Sequence, residues 1–235
     1  EPADHLDPRR ARRLDRFSAF AVASARMAVE HADLAHGHRP PERTGIWIGS
    51  ALGGVAFGEE QHAAYVERGV HGVSPTLATA VFGGAAASNV AIDLGIRGPA
   101  IGNANSCASG AVAIGQAFQA IRAGTVDVAL AGGAEAPLAP LTFGAFAMIR
   151  VLSRRNDDPT TASRPFDAGR DGFVMGEGAA MLVLEAWDAA EARGALILGE
   201  LLGFGASTDA HHLTAPLPSG ESAASAITTA LADAR

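Results

Sequence analysis

A single cysteine is the residue best suited to chemistry in this sequence. Cys107 is the only cysteine among 235 residues, and it lies in the segment Asn-Ser-Cys-Ala-Ser-Gly at the start of an apolar stretch rich in alanine and glycine. A thiol in the first turn of a helix faces unpaired backbone N–H groups and the positive end of the helix dipole, and both favour the thiolate. We therefore predict that Cys107 is a nucleophile. The alternative is a buried cysteine that acts as a small hydrophobic residue.

Other groups of reactive residues carry weaker signals. His211 and His212 are adjacent, but their spacing matches no standard set of metal ligands, so we predict no metal site. The glycine-rich stretches lack the spacings of the Rossmann fingerprint and of the P-loop, which argues against a phosphate-binding loop. Glu135 and Glu177 could form an acid/base pair, or each could be a buried carboxylate held by structural hydrogen bonds.

The elements that must position Cys107 alternate between strand and helix. The pattern predicts helices at residues 11–31, 89–94, 107–121 and 188–193, and strands at residues 44–50, 100–103, 127–131, 179–185 and 196–204. The apolar run of Val128, Ala129 and Leu130 is typical of a buried strand in a parallel sheet covered on both faces. Strands that alternate with helices of this length indicate an α/β fold, in which the strand at 100–103 leads to the cysteine.

Composition excludes several classes of function. All 18 basic residues are arginine, so the chain offers no lysine for Schiff-base or P-loop chemistry. A lone cysteine can build neither an internal disulfide nor a cysteine-based zinc site. The net charge of −7 argues against nucleic acid or an anionic membrane as a general partner. Since no apolar run approaches the roughly 20 residues of a membrane span, we predict a cytoplasmic protein.

Four motifs follow one another in a specific order. They are the cysteine segment at 105–110, Ala-Gly-Gly-Ala-Glu at 131–135, Arg-Pro-Phe-Asp at 164–167 and Asp-Gly-Phe-Val-Met-Gly-Glu-Gly-Ala at 171–179. This set resembles the β-ketoacyl-acyl carrier protein synthases, most closely the type II elongating ketosynthases of fatty-acid and polyketide pathways. The resemblance covers essentially the whole chain. The Cys-Ala-Ser-Gly tetrapeptide alone also suits a thiolase, but residues 164–179 look like the ketosynthase branch.

The resemblance implies a fold and a reaction. The fold is the thiolase fold, a layered αβαβα arrangement, of which residues 1–235 are expected to form mainly the N-terminal half that carries the nucleophile. The family's two catalytic histidines stand in His-Gly-Thr and Gly-His contexts; no His-Gly-Thr occurs in this sequence, and we expect both histidines in a C-terminal half. Cys107 would accept an acyl group, and a decarboxylative Claisen condensation with malonyl-acyl carrier protein would follow. No cofactor is implied, because phosphopantetheine arrives on the acyl carrier protein.

The resemblance also assigns residues to the substrate site. Three apolar residues are expected to line or gate the acyl tunnel: Leu52, Leu77 and Phe146. Leu77 is further expected to reach into the neighbouring subunit of a dimer. In a loop near the entrance, Asp209 and His212 match residues that organise the loop, and Thr214 matches a threonine that contacts the pantetheine arm.

Two arginine clusters predict the partner. The positions that match carrier-protein docking sites in the family are Arg9, Arg12, Arg13 and Arg150. On an acidic chain such clusters complement an acidic partner, although a charge run can also be a solvated face. We expect a homodimer or a ketosynthase-like heterodimer. Two other functions stay open: a non-catalytic partner subunit that sets chain length, which usually lacks the cysteine, and a thiolase that acts on coenzyme A thioesters.

Overall fold

A mixed sheet lies at the centre of the structure, a computed structural model that describes residues 2–34 and 40–235 and contains four strands within them. The strands are β1 (Thr44–Gly49), β2 (Ala100–Asn103), β3 (Val128–Glu135) and β4 (Gly178–Glu185), arranged in the order β2-β1-β3-β4. β1 pairs in parallel with both β2 and β3, whereas β4 runs antiparallel to β3. Every residue of β1 is buried, so the middle of the sheet forms the core.

Helices cover both faces of the sheet. In chain order they are α1 (Pro8–Ala11), α2 (Arg16–His31), α3 (Val55–Arg68), α4 (Leu77–Ala80), α5 (Ala85–Leu94), α6 (Ser109–Arg122), α7 (Pro140–Met148), α8 (Trp187–Ala192) and α9 (Glu221–Asp233). Because side chains alternate across a strand, Ile46 and Ile48 of β1 pack with α2 and α5 on one face. Trp47 points to the other face and packs with α6.

An ion-pair cluster joins the two helices on the first face. The carboxylate of Asp93, at the end of α5, accepts hydrogen bonds of 2.6 and 2.7 Å from Arg26 of α2. Arg10 approaches the same carboxylate at 2.9 Å and also donates to the carbonyl oxygen of Asn89. The Asp93 side chain is only 1% exposed, so the arginines compensate a charge that burial would otherwise destabilise.

Most of the predicted elements agree with the structure. Strands form where the sequence predicts them at 44–50, 100–103, 127–131 and 179–185, with β3 continuing to Glu135. The predicted helix at 11–31 is wrong at its start, because Asp7 caps the separate short helix α1 through the N–H groups of Arg9 and Arg10. The helix predicted at 89–94 already begins at Ala85. The helices for which the sequence pattern gave no prediction include α3, α4 and α7.

The strand predicted at residues 196–204 is wrong. In the described part of the chain this segment forms no strand, because no neighbouring strand offers its backbone a ladder of hydrogen bonds. Instead it approaches α9, where the N–H of Phe204 donates to the Asp233 carboxylate at 3.0 Å. The Arg122 side chain also binds this carboxylate. The hydrogen bond from the Phe204 N–H has the larger effect and the one from Arg122 the next, and both lower the pKa of Asp233.

Candidate active site

Cys107 lies in a tight turn between the end of β2 and the start of α6. Residues Ser106–Ala108 form one turn of 3-10 helix, and α6 continues directly from Ser109. Ser106 has a φ of 51°, a left-handed conformation that is uncommon outside glycine. The thiol-bearing residue is exposed, which excludes the alternative of a buried cysteine that only fills space. The sharp turn therefore presents the sulfur at the surface.

The side chain of Asn103 holds both sides of this turn. Its Nδ2 donates to the carbonyl oxygen of Ser109 at 3.0 Å, and its Oδ1 accepts from the N–H of Asn105 at 3.3 Å. β1 supports the same turn from the other side, because Gly49 has no side chain and its Cα lies directly against the backbone of Ser109 and Gly110. The backbone around Cys107 is thus braced by two adjacent parallel strands.

A cavity of about 520 Å³ opens beside Cys107. Its walls come from the ends of β1 and β3, from α7, and from the loop that precedes β4. The large apolar side chains among the lining residues are Leu52, Phe146, Phe173, Val174 and Met175. Phe146 and Phe173 meet edge to face, with ring centroids 5.8 Å apart. A nucleophile that lines such an apolar cavity could hold the reactive end of a hydrocarbon chain while the cavity accommodates the rest of the chain.

Two of the three predicted tunnel residues meet at this cavity. Leu52 and Phe146 line it together with Cys107, although they come from different elements. Leu77 does not line it: it begins the short helix α4 and is partly buried there. Its expected contact with a neighbouring subunit stays a prediction.

Glu135, at the end of β3, binds the loop that carries Leu52. Its carboxylate accepts hydrogen bonds from the N–H of Ala51 at 2.6 Å, the N–H of Leu52 at 3.3 Å and the hydroxyl of Ser50 at 3.1 Å. Glu177 pairs separately with Arg16 at 2.6 Å. Both carboxylates therefore have structural partners, which favours the structural interpretation over an acid/base pair. The sequence allowed a structural role for Glu135 as one of two alternatives, but it gave no sign that Glu135 binds the loop at residues 50–52.

The loop at 209–215 is organised by its own side chains. Nδ1 of His212 accepts from the N–H groups of Thr214 and Ala215 at 3.1 and 3.0 Å, which places any ring proton on Nε2. The Asp209 carboxylate accepts from the N–H of Leu217 at 2.8 Å. None of the three predicted loop residues lines the cavity beside Cys107 within the described chain. Residues 2–34 and 40–235 contain no cluster of histidine, cysteine and carboxylate side chains that could hold a metal ion.

The predicted docking arginines are on the surface. Arg9, Arg12 and Arg13 are exposed at and after α1, while Arg10 between them turns inward to Asp93. Arg150 is exposed just after α7 and borders a second cavity of about 880 Å³ that also touches Phe173. Phe173 thus lies between this arginine and the cavity of Cys107. Over the described ranges, no helix has both the length and the apolar character to cross a membrane.

Comparison with known proteins identifies the family of this chain. The family model of the β-ketoacyl synthase N-terminal domain matches residues 1–190. A 3-oxoacyl-[acyl-carrier-protein] synthase 2 of Staphylococcus aureus is 43% identical over 231 residues, which are 98% of this chain and 57% of that protein. The chain thus spans a little over half the length of this curated relative.

Solved structures agree with the sequence comparison. A type II polyketide ketosynthase, bound to a hexaketide and in complex with its acyl-carrier protein, superposes with a TM-score of 0.89 at 33% identity, covering 93% of this chain and 55% of that one. The ishigamide ketosynthase/chain length factor gives the same TM-score and identity over 100% of this chain and 56% of that one. These neighbours confirm the predicted α/β fold of the thiolase type. With the family model matched over most of its length, the chain belongs to the β-ketoacyl synthase family.

Proposed function

We propose that this chain supplies the nucleophile-bearing N-terminal region of a β-ketoacyl-acyl carrier protein synthase of fatty-acid or type II polyketide synthesis. The observation that carries the proposal is the position of Cys107, exposed on a braced turn at an apolar cavity of about 520 Å³ that Leu52 and Phe146 line. A solvated thiol beside an apolar cavity matches an acyl thioester, which has one electrophilic carbon and a hydrocarbon tail.

The proposed first step is acyl transfer to sulfur. The Cys107 thiolate attacks the carbonyl carbon of an acyl thioester on the phosphopantetheine arm of acyl carrier protein. The tetrahedral intermediate carries its negative charge on the former carbonyl oxygen. In the family, the backbone N–H of the cysteine donates to that oxygen, and the first turn of a helix is where such N–H groups lack partners. Collapse of the intermediate expels the pantetheine thiolate and leaves an acyl-cysteine.

The proposed second step forms the carbon–carbon bond. A malonyl thioester loses carbon dioxide, and the electron pair left on its α-carbon attacks the carbonyl carbon of the acyl-cysteine. The Cys107 thiolate leaves, and a β-ketoacyl carrier protein two carbons longer is released. The family's two histidines stabilise the malonyl enolate in this step, and a second donor joins the cysteine N–H at the oxyanion of the first step; we place all three in a C-terminal half beyond residues 1–235. Exposed apolar residues at 196–202 and on α9 support this placement, including Leu198, Leu202 and Leu231.

Locating the acyl group tests the proposal. The complete protein is incubated with acyl-acyl carrier protein, and peptide mass spectrometry should find the acyl adduct on Cys107. The variant Cys107→Ala should form none. An adduct on another residue, or equal acylation of the variant, would show that Cys107 is not the acceptor. Faster acylation from acyl-coenzyme A than from the carrier protein would favour a thiolase, and lack of acylation from either would favour a non-catalytic partner subunit.

The arginine clusters support a carrier-protein partner. Arg12→Glu combined with Arg13→Glu should slow acylation by acyl-acyl carrier protein but spare acylation by a small acyl thioester. Added salt should slow wild-type transfer from the carrier protein, because it shortens the screening length below ~10 Å. Arg68→Glu, an exposed reversal at the end of α3, is the matched control. If the double variant lost the same fraction of its acylation rate with acyl-acyl carrier protein and with the small acyl thioester, the substitutions would have damaged the fold.

Assembly and location complete the proposal. We place the protein in the cytoplasm as a homodimer or as a heterodimer with a ketosynthase-like subunit. One of the similar structures is itself named a ketosynthase/chain length factor, which supports a paired arrangement. Light scattering of the purified complete protein, alone and after co-expression with its partner, would distinguish the two assemblies.

A further inference from the structure

A carboxylate on α3 caps the helix that carries Phe146. Oε2 of Glu59 accepts from the N–H of Leu141 at 2.7 Å, and Oε1 accepts from the N–H and the hydroxyl of Thr142 at 2.7 and 2.6 Å. Pro140, the first residue of α7, has no N–H to satisfy. Glu59 therefore caps the first turn of α7, although it lies 82 and 83 positions before Leu141 and Thr142 in the sequence. Burial alone would raise the pKa of Glu59, but these hydrogen bonds lower it below its usual value.

The rest of α7 offers little other anchorage. Within α7, which the structure describes in full, Thr142 is the one buried residue. Leu141 and Met148 are 74% and 81% exposed. A helix of nine residues is marginal on its own, so its position depends on what holds its end. The bonds to Glu59, two of them partly buried, link the first turn of α7 to α3.

The capped turn and the cavity wall are on the same side of α7. Residues four apart in a helix lie above one another, so Phe146 follows Thr142 on the face that Glu59 holds. Phe146 then meets Phe173 edge to face, and both rings line the cavity beside Cys107. A displacement of the Thr142 turn would move the Phe146 ring relative to this cavity. The cap and the wall thus lie on one stretch of α7, about a turn and a half long.

From this geometry we infer that Glu59 is a positioning residue that sets the Phe146 wall and so determines how long a chain the cavity beside Cys107 accepts. The inference rests on the proposed function only in identifying that chain as the acyl group of a thioester. Glu59 does not line the cavity and needs no contact with the substrate. Without its cap, α7 loosens, and the Phe146 ring is free to enter space that a long chain requires.

The test uses the thiol itself as reporter of the cavity. N-Alkyl chloroacetamides with ethyl and dodecyl tails alkylate the Cys107 thiolate with loss of chloride, and their rates are compared in the complete protein. In Glu59→Gln the dodecyl-to-ethyl rate ratio should fall by about three- to tenfold, the range expected for loss of a helix cap. The ethyl rate should change by less than about twofold. Glu60→Gln, the exposed neighbour on α3, should leave both rates unchanged.

A merely structural role would give a different pattern. If both rates fell together in Glu59→Gln, or if the ratio equalled that of Glu60→Gln, the inference would be wrong. Thr142→Val removes one of the three hydrogen bonds to Glu59 and keeps the shape of the side chain, so it should show a smaller fall in the dodecyl-to-ethyl ratio. This second variant keeps the inference testable if Glu59→Gln does not fold. The same comparison with four- and twelve-carbon acyl-acyl carrier proteins tests the substrate. Failure of both acyl donors on wild-type protein would refute the proposed function, while the chloroacetamide ratio still decides the role of Glu59.

Discussion

Replacing Gly49 with alanine should disturb the brace beneath Cys107. A Cβ at this position would overlap the carbonyl group of Ser109 and lie 2.5 Å from the amide nitrogen of Gly110. Non-bonded heavy atoms rest about 3.5–4.0 Å apart, so the start of α6 would have to move by roughly 1 Å or more. The neighbouring atoms are backbone on a buried strand and a packed helix, and they cannot rotate away as a side chain could.

The loss of stability expected for Gly49→Ala lies at the upper end of the range for substitutions that overfill a core. Such substitutions destabilise by about 1–3 kcal/mol, and we expect Gly49→Ala to lower the free energy of unfolding by about 3 kcal/mol because both surfaces are rigid. That is roughly a 150-fold change in the unfolding equilibrium. Urea denaturation of the complete protein measures it. The rate of Cys107 alkylation by iodoacetamide should change as well, since the cysteine turn joins the displaced end of α6.

Gly144→Ala is the matched control. This glycine lies inside α7, and an added Cβ there meets nothing within 4 Å. Alanine should therefore stabilise the helix by about 0.5–1 kcal/mol through the lower entropy of the unfolded chain. If Gly49→Ala unfolded at the same urea concentration as wild type, the close approach of β1 and α6 would not exist as described.

Three further outcomes concern carboxylates that the fold surrounds. Glu135→Gln should lower the free energy of unfolding by about 1–3 kcal/mol and speed amide hydrogen exchange at Ala51 and Leu52, because one carboxylate serves three donors; unchanged exchange would refute the anchoring role. Burial raises the pKa of Asp15 in the folded protein above its value in the unfolded chain. The contribution of this side chain to the stability of the protein is therefore fully present below the unfolded-state pKa, and it is lost as the pH rises through the folded-state pKa. Asp15→Asn should therefore stabilise the protein at pH 7, and urea titrations should show the gain vanishing below about pH 4, whereas a pH-independent gain would contradict this reasoning. Asp93→Asn should destabilise by about 1.5–3 kcal/mol in the same assay, and a neutral effect would mean that the α2–α5 ion-pair cluster contributes nothing.

Local pattern was enough to predict where Cys107 and the strands around it lie in the fold. The apolar runs of β1 and β3 are bounded by glycine and proline, and such runs form strands wherever a sheet can bury them. The cysteine motif follows β2 by a few residues, so chain connectivity alone places Cys107 at the end of a strand and at the start of a helix. The family resemblance, carried by short motifs in a fixed order, then predicted that Leu52 and Phe146 would share one cavity with it.

Pairing was harder to predict. The segment at 196–204 has the composition of a strand, but a strand exists only where a second backbone completes its hydrogen bonds, and composition does not show whether one is there. The helix α7 is apolar on nearly every side and contains a glycine, so it lacks the one-sided periodicity by which sequence reveals a surface helix.

The polar residues that hold the site together depend wholly on tertiary structure. Glu59 looks like an ordinary surface acid in the sequence, and nothing near Glu135 in the sequence shows which groups it binds, yet each binds backbone N–H groups more than 80 positions away. Hydrophobic pattern and motifs are local, so one chain read in order reveals them. A hydrogen bond between distant residues depends on the folded path between them, because only the sheet and its covering helices bring a carboxylate within 3 Å of the loop or helix end that it holds.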